Sequence, residues 1–167
     1  MEKIRLLWAV LLFGQLFSCK DSREVPSVKM DQQLANTELS VAQLKKRLEA
    51  QGFQTFDYID KKTKDTILMQ QYFIAFLKSG PNRSQSKAEA DSLQVLHLAH
   101  LSSMYEQGYA DISGPFGDNG DIRGITIYNV PTQEMADSLA NMDPMVKAGR
   151  LAIEIHSWWA AKGFKLR

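Results

Sequence analysis

Ile67-Leu68-Met69-Gln70-Gln71-Tyr72-Phe73-Ile74-Ala75-Phe76-Leu77 is the stretch on which the fold turns. Both faces of its two-residue alternation are apolar, with Gln70 and Gln71 the exceptions. A strand built that way belongs at the centre of a sheet, with a packed layer on each side. Lys78-Ser79-Gly80-Pro81-Asn82 breaks it.

Reading outward toward the C-terminus, Ser86 and Glu89 form a capping box that predicts a helix. Leu93, Leu96, His97, His100, Leu101 and Met104 lie along one stripe of that helix, and Gly108 stops it. A short strand over residues 109–113 ends at Gly114-Pro115, and a loop follows over residues 116–121. Residues 122–130 read as a third strand marked by Ile125, Ile127 and Val130. Pro131-Thr132 opens a second helix that turns Met135, Ala136 and Leu139 inward. Asn141-Met142-Asp143-Pro144 breaks it, residues 145–149 make a turn or a short helical piece, and residues 150–159 alternate as a last strand. The order strand, helix, strand, strand, helix, strand predicts an α+β, ferredoxin-like βαββαβ layout, with an antiparallel sheet backed by two helices on one face. The other face must meet something apolar. A second sheet from a partner subunit is the usual solution, so a homodimer is expected, the N-terminal helix being the alternative cover for part of that face.

Toward the N-terminus, residues 53–59 before the polar run 60–65 predict a short β arm. Ser40 with Gln43, followed by Val41, Leu44 and Leu48 up to Gly52, predicts an accessory helix. Further back, residues 19–36 are polar, contain Pro26 and show no apolar period, as a flexible tether would. Residues 1–5 are short and basic, and residues 6–17 are nearly continuous apolar sequence, the pattern of a signal peptide. The segment ends Leu16-Phe17-Ser18-Cys19, which resembles the lipobox of bacterial lipoproteins. That resemblance implies a lipid on Cys19 and a lipid-anchored location in the bacterial cell envelope, at the inner or outer membrane. The expected partition is therefore 1–18 signal peptide, 19–36 tether, 37–65 accessory helix and β arm, and 66–167 α+β domain.

Composition narrows function by exclusion. With 44% hydrophobic and 23% charged residues, the 167-residue chain has the make-up of a globular domain rather than a disordered one. Its net charge of +1 becomes an equal count of both signs once Glu2, Lys3 and Arg5 are removed, so no nucleic-acid partner is expected. One cysteine and three histidines are too few for a disulfide framework or a structural zinc site. No cofactor and no metal are expected.

Several short motifs follow in order: His97-Leu98-Ala99 with Leu101, Tyr105-Glu106-Gln107-Gly108, Gly114-Pro115-Phe116, Gly124, and Asp143-Pro144-Met145-Val146-Lys147-Ala148-Gly149. In this order and spacing the chain resembles the YCII-related family over roughly residues 69–155. The resemblance implies a ferredoxin-like fold whose sheets pair into a dimeric α+β barrel. It also implies a cleft with a histidine, falling on His97, and an aspartate, best matched by Asp143. Some relatives act on small cyclic or aromatic acids, one by dechlorinating a hydroxyhydroquinone. Residues 1–65 lie outside the resemblance and look like the extensions of some Bacteroidetes-type lipoproteins.

An imidazole exchanges protons near neutral pH, and a neighbouring carboxylate fixes its tautomer, so His97 with Asp143 is a candidate proton-transfer pair. A histidine on an apolar stripe is equally how a hydrogen-bonded core histidine is built. His100, three residues on, projects from the same helical face, but no third ligand accompanies the two for a metal. His156 reads as an edge histidine beside Trp158 and Trp159. The loop from Gly114 and Pro115 through Asp118 and Asp121 to Arg123 lacks calcium-loop spacing; its backbone amides suit an anionic group, and a tight glycine-permitted turn beside a cleft explains its composition equally well. Arg83 and Arg123 are candidates to neutralise a carboxylate. The binding set is therefore His100, Gly114, Pro115, Asp118, Asp121 and Arg123. Two functions compete: a small-molecule enzyme acting on a small cyclic or aromatic acid, or a non-catalytic binding or structural lipoprotein.

Overall fold

The computed structural model describes residues 39–164 and 166. The expected signal peptide, tether and lipid site at Cys19 lie outside the described residues. The chain forms α1 (Val41–Ala50), β1 (Thr55–Ile59), β2 (Thr66–Ser79), α2 (Lys87–Glu106), β3 (Ala110–Pro115), β4 (Ile122–Tyr128), α3 (Gln133–Asn141), α4 (Pro144–Lys147) and β5 (Leu151–Ala161).

β2 is the central strand, as its two apolar faces require. β5 runs antiparallel along one edge from Met69 to Ser79. β1 and β4 share the other edge, β1 beside residues 66–70 and β4 beside residues 73–78. β3 closes the far side by pairing with β4. Alternation then separates the faces. Phe73, Ala75 and Leu77 point to the helices and form the core with Met104, Tyr128, Ala136, Ala140, Met145 and Leu151. Phe73 is 3% exposed, and burying a side chain of that size contributes about 1.5–3 kcal/mol. Tyr72 and Phe76 fall on the opposite face, where Tyr72 meets Trp158 at 6.2 Å and Phe76 meets the His156 ring edge-on at 5.6 Å.

Two sequence expectations need correction here. The sheet is open and not closed into a barrel: β3 and β5 are its two edges, separated by β4 and β2, and nothing joins them. Closure requires edge-to-edge pairing that the described chain does not make. The membrane expectation likewise finds no spanning element, since among the described residues no helix is long and apolar enough to cross a membrane.

The expected caps are present and fix where α2 starts. Ser86 Oγ accepts the Glu89 N–H, and the Glu89 carboxylate accepts the Ser86 N–H at 2.8 Å. Such a box is worth about 1 kcal/mol. Gly108, at φ +75°, ends the helix in the left-handed region that favours glycine. Of the expected stripe, His97 and Met104 are buried, while Leu96 is 52% exposed and points away from the core.

Candidate functional site

The site is assembled where the C-terminal end of β2, the middle of α2 and the α4–β5 junction meet. Asp143 precedes Pro144 and caps α4. Its Oδ1 accepts the Met145 N–H at 2.8 Å, the short-range bond that an Asx side chain makes at a helix start. The same carboxylate offers Oδ2 to His97, whose Nδ1–H donates across 2.5 Å. The two residues are 8% and 2% exposed. With one oxygen on a backbone amide and the other on the imidazole, the carboxylate plane is set from both ends. A carboxylate only accepts, so Nδ1 carries the hydrogen, and in the neutral ring Nε2 then holds the lone pair.

His97 lines a cleft of about 410 Å³, walled on one side by Gly114 and Pro115 and flanked by Arg83, Arg123 and Arg150. The wall depends on close backbone approach: a Cβ on Gly124 would stand 2.6 Å from the Gly114 carbonyl oxygen, so β3 and β4 reach this separation only with glycine there. Arg123 stands at a bulge, because Leu77 pairs with Gly124 and Lys78 with Ile122. The extra residue re-aims the strand at its end. Arg123 Nη1 donates to the Gly120 carbonyl at 3.0 Å.

On the other side of β2, Gly80 N–H donates to the Arg150 carbonyl at 3.0 Å and Asn82 N–H to that of Gly149 at 2.9 Å. This lashes the loop after β2 to the start of β5. Arg83 Nη1 donates to the Arg150 carbonyl at 3.1 Å, and Arg150 Nη1 to Gln85 Oε1 at 3.3 Å. The one carboxylate lining the cleft, Asp91, is held at 2.5 Å by Lys87 one helical turn back.

The residues singled out from sequence therefore divide. His97, Gly114, Pro115 and Arg123 line the cleft, and Asp143 sits directly behind His97. His100 does not line it. Its Nε2 is buried with no hydrogen-bond partner among the described residues, and burial lowers its pKa, the nearby Asp143 charge opposing that. Asp118 turns inward on its own loop to accept the Gly120 N–H at 2.8 Å, and Asp121 lies 3.9 Å from Lys78. Neither lines the cleft. Arg150 was absent from the sequence reading of the site, because it reads only as the residue before an alternating strand. The pairing of Ser79 with Leu151 is what brings it to the cleft. Among the described residues no group of three or more His, Cys, Asp or Glu side chains is placed to hold a metal.

No protein-family profile matches the chain, and no curated protein matches it. Among solved structures, the chain is similar to a 5-chloro-2-hydroxyhydroquinone dehydrochlorinase from Burkholderia phenoliruptrix AC1100, solved in complex with 2,5-dihydroxybenzoquinone. The two are 23% identical over 52% of this chain and 92% of that one, with a TM-score of 0.41.

Proposed function

We propose that the domain binds a small cyclic or aromatic acid in this cleft and moves a proton on it, with His97 Nε2 as the general base and acid and Asp143 as its positioning residue. The observation that carries the reading is the buried His97–Asp143 bond, with His97 lining an open cleft. A core histidine would need no carboxylate so fully withdrawn from water, since burying a carboxylate is costly unless its oxygens are bonded. It would also not line a cleft flanked by arginines. A sealed apolar setting for His97 would favour the non-catalytic alternative; the lining, which holds Arg83, Gln94 and Arg150 beside Leu77, Leu98, Leu101 and Met145, supports the first reading.

The chemistry needs no group beyond the chain. A ligand C–H or O–H placed against Nε2 gives up its proton, the imidazolium is held by Asp143, and the proton returns at another atom of the same ligand, so that the net step is an isomerisation. Phenylpyruvate, an aromatic acid whose enol–keto interconversion is followed by absorbance, is a direct probe. Positioned general catalysis contributes about 10²–10⁴-fold, so the protein is expected to accelerate the interconversion and His97→Gln to abolish the acceleration. Rates equal to buffer, or a His97→Gln variant as active as the parent, would overturn the proposal.

The homodimer belongs with this reading as a further part of it. It is supported by the sheet face opposite the helices, where Ile112, Trp158 and Phe116 are 37%, 42% and 43% exposed, since a contiguous apolar patch marks an interaction surface. A monomer by sedimentation at every concentration tested would remove it.

A further inference from the structure

Among the described residues none of the three arginines of the cleft is in a salt bridge, and the carboxylate that lines it, Asp91, is paired with Lys87. Arg123 and Arg150 are both half-buried. Withdrawing a guanidinium from water without a carboxylate is unfavourable. Each instead spends one terminal nitrogen on a neutral oxygen: the Gly120 carbonyl for Arg123, the Arg150 carbonyl for Arg83, and Gln85 for Arg150. Those bonds fix the forks in place and leave the remaining donors of each guanidinium for a ligand.

Their placement has two poles. β2 lies between β4 and β5 in the sheet. Arg123, at the β4 bulge, is on one side of the end of β2. Arg150, at the start of β5 with Arg83 bonded to its carbonyl, is on the other. Two strand spacings separate the backbones, about 10 Å, and His97 lines the same cleft.

We infer that the ligand of this cleft is a dianion, a small ring bearing two acid groups, one held by Arg123 and the other by Arg83 with Arg150, so that the ring lies against His97. This deepens the proton-transfer reading and takes from it only the identity of the site. Planar guanidinium forks engage carboxylates through paired, charge-assisted bonds. A single acid group would satisfy one pole and leave the other half-buried and uncompensated.

Titration calorimetry on the full chain with phthalate, isophthalate and terephthalate, against benzoate and benzyl alcohol, tests it. At least one phthalate isomer is expected to bind about tenfold or more tightly than benzoate, with the gap narrowing as salt rises. Arg123→Gln and Arg150→Gln should each bring that ratio toward one, whereas Arg123→Lys, which keeps the charge, should retain a preference. Benzoate binding as tightly as every phthalate, a preference that survives both glutamine variants, or binding of none of the five would each overturn the inference. Phenylpyruvate turnover is read separately. A dianion preference without turnover leaves this inference standing and removes the proton-transfer reading, while turnover without a dianion preference does the reverse.

Discussion

Replacing Asp143 by Asn separates the structural duty of this side chain from its chemical one. The native carboxylate accepts twice, from Met145 N–H through Oδ1 and from His97 Nδ1–H through Oδ2. An amide has one oxygen. If that oxygen stays on Met145 N–H, the α4 cap survives and the amide NH₂ faces His97 Nδ1, which must then become the acceptor. The ring hydrogen moves to Nε2, and the atom facing the cleft loses its lone pair. If the amide turns the other way, two N–H groups face each other and the cap is lost, at a cost of about 0.5–2 kcal/mol. The first arrangement therefore wins. Exchanging a bond to a charged acceptor for a neutral one costs about 1 kcal/mol, a melting-point drop of about 4 °C for a domain of this size. Catalysis should fall far more. The same carboxylate-to-amide change in the serine-protease triad, where it also imposes the wrong tautomer, lowers kcat by about 10⁴. Nitrogen-15 NMR of the imidazole distinguishes the tautomers, calorimetry gives the stability, and phenylpyruvate interconversion gives the rate. An Asn variant that keeps the Nδ1–H tautomer, or loses rate only in step with its folded fraction, would refute the reasoning.

Three further outcomes follow from other parts of the structure. Burial lowers the His100 pKa, so the folded state favours the neutral ring. That contribution is fully present above the ordinary histidine value near 6.5 and is lost as pH falls through the lowered folded value. Melting temperatures between pH 7.5 and pH 5 should drop less in His100→Leu than in the parent, and parallel curves would count against the burial argument. Gly124→Ala places a methyl 2.6 Å from the Gly114 carbonyl oxygen and 3.2 Å from Pro115 Cα, and such overpacking costs about 1–3 kcal/mol. It should also weaken ligand binding by displacing the Gly114-Pro115 wall, whereas an unchanged melting point and affinity would show that the two strands yield freely. Ser86→Ala removes the side-chain half of the α2 capping box, the bond that Ser86 Oγ accepts from Glu89 N–H, at about 1 kcal/mol, read by denaturant titration. Because the lost bond lies at the exposed helix start, ligand affinity should stay near the parent value.

The local elements were legible wherever short-range chemistry decides them. Ser40 with Gln43 and Ser86 with Glu89 announce helix starts because both partners lie within one turn, and both boxes are present. The residues of β2 announce a central strand because one apolar face would suffice at an edge. Leu96 departs from the expected stripe because a stripe drawn on a helix fixes only relative angles, and the packing that buries His97 and Met104 sets the absolute one. The expected barrel failed for a different reason. It was implied by family resemblance, whereas closure is a property of strand edges, and the edges here, β3 and β5, sit at opposite limits of an open sheet.

The site shows the same division between local and long-range information. Asp143 as a cap is visible in Asp-Pro, and His97 in its helical stripe, but their bond depends on α4 docking beside α2, which no spacing encodes. The arginines are the sharper case. Arg123 and Arg150 occupy opposite sides of one strand end because Leu77 pairs with Gly124 while Ser79 pairs with Leu151. A one-residue slip in either register would turn the neighbouring side chains to the other face of the sheet. Register is held by Phe73, Ala75 and Leu77 on the core face, so the packing that stabilises the domain also holds two half-buried charges in the cleft. Replacing those charges by apolar groups of similar size should be neutral or stabilising if packing were their only role. Arg123→Met and Arg150→Met variants that melt at or above the parent temperature while losing the dianion preference would therefore place the worth of these arginines in ligand recognition and not in the fold.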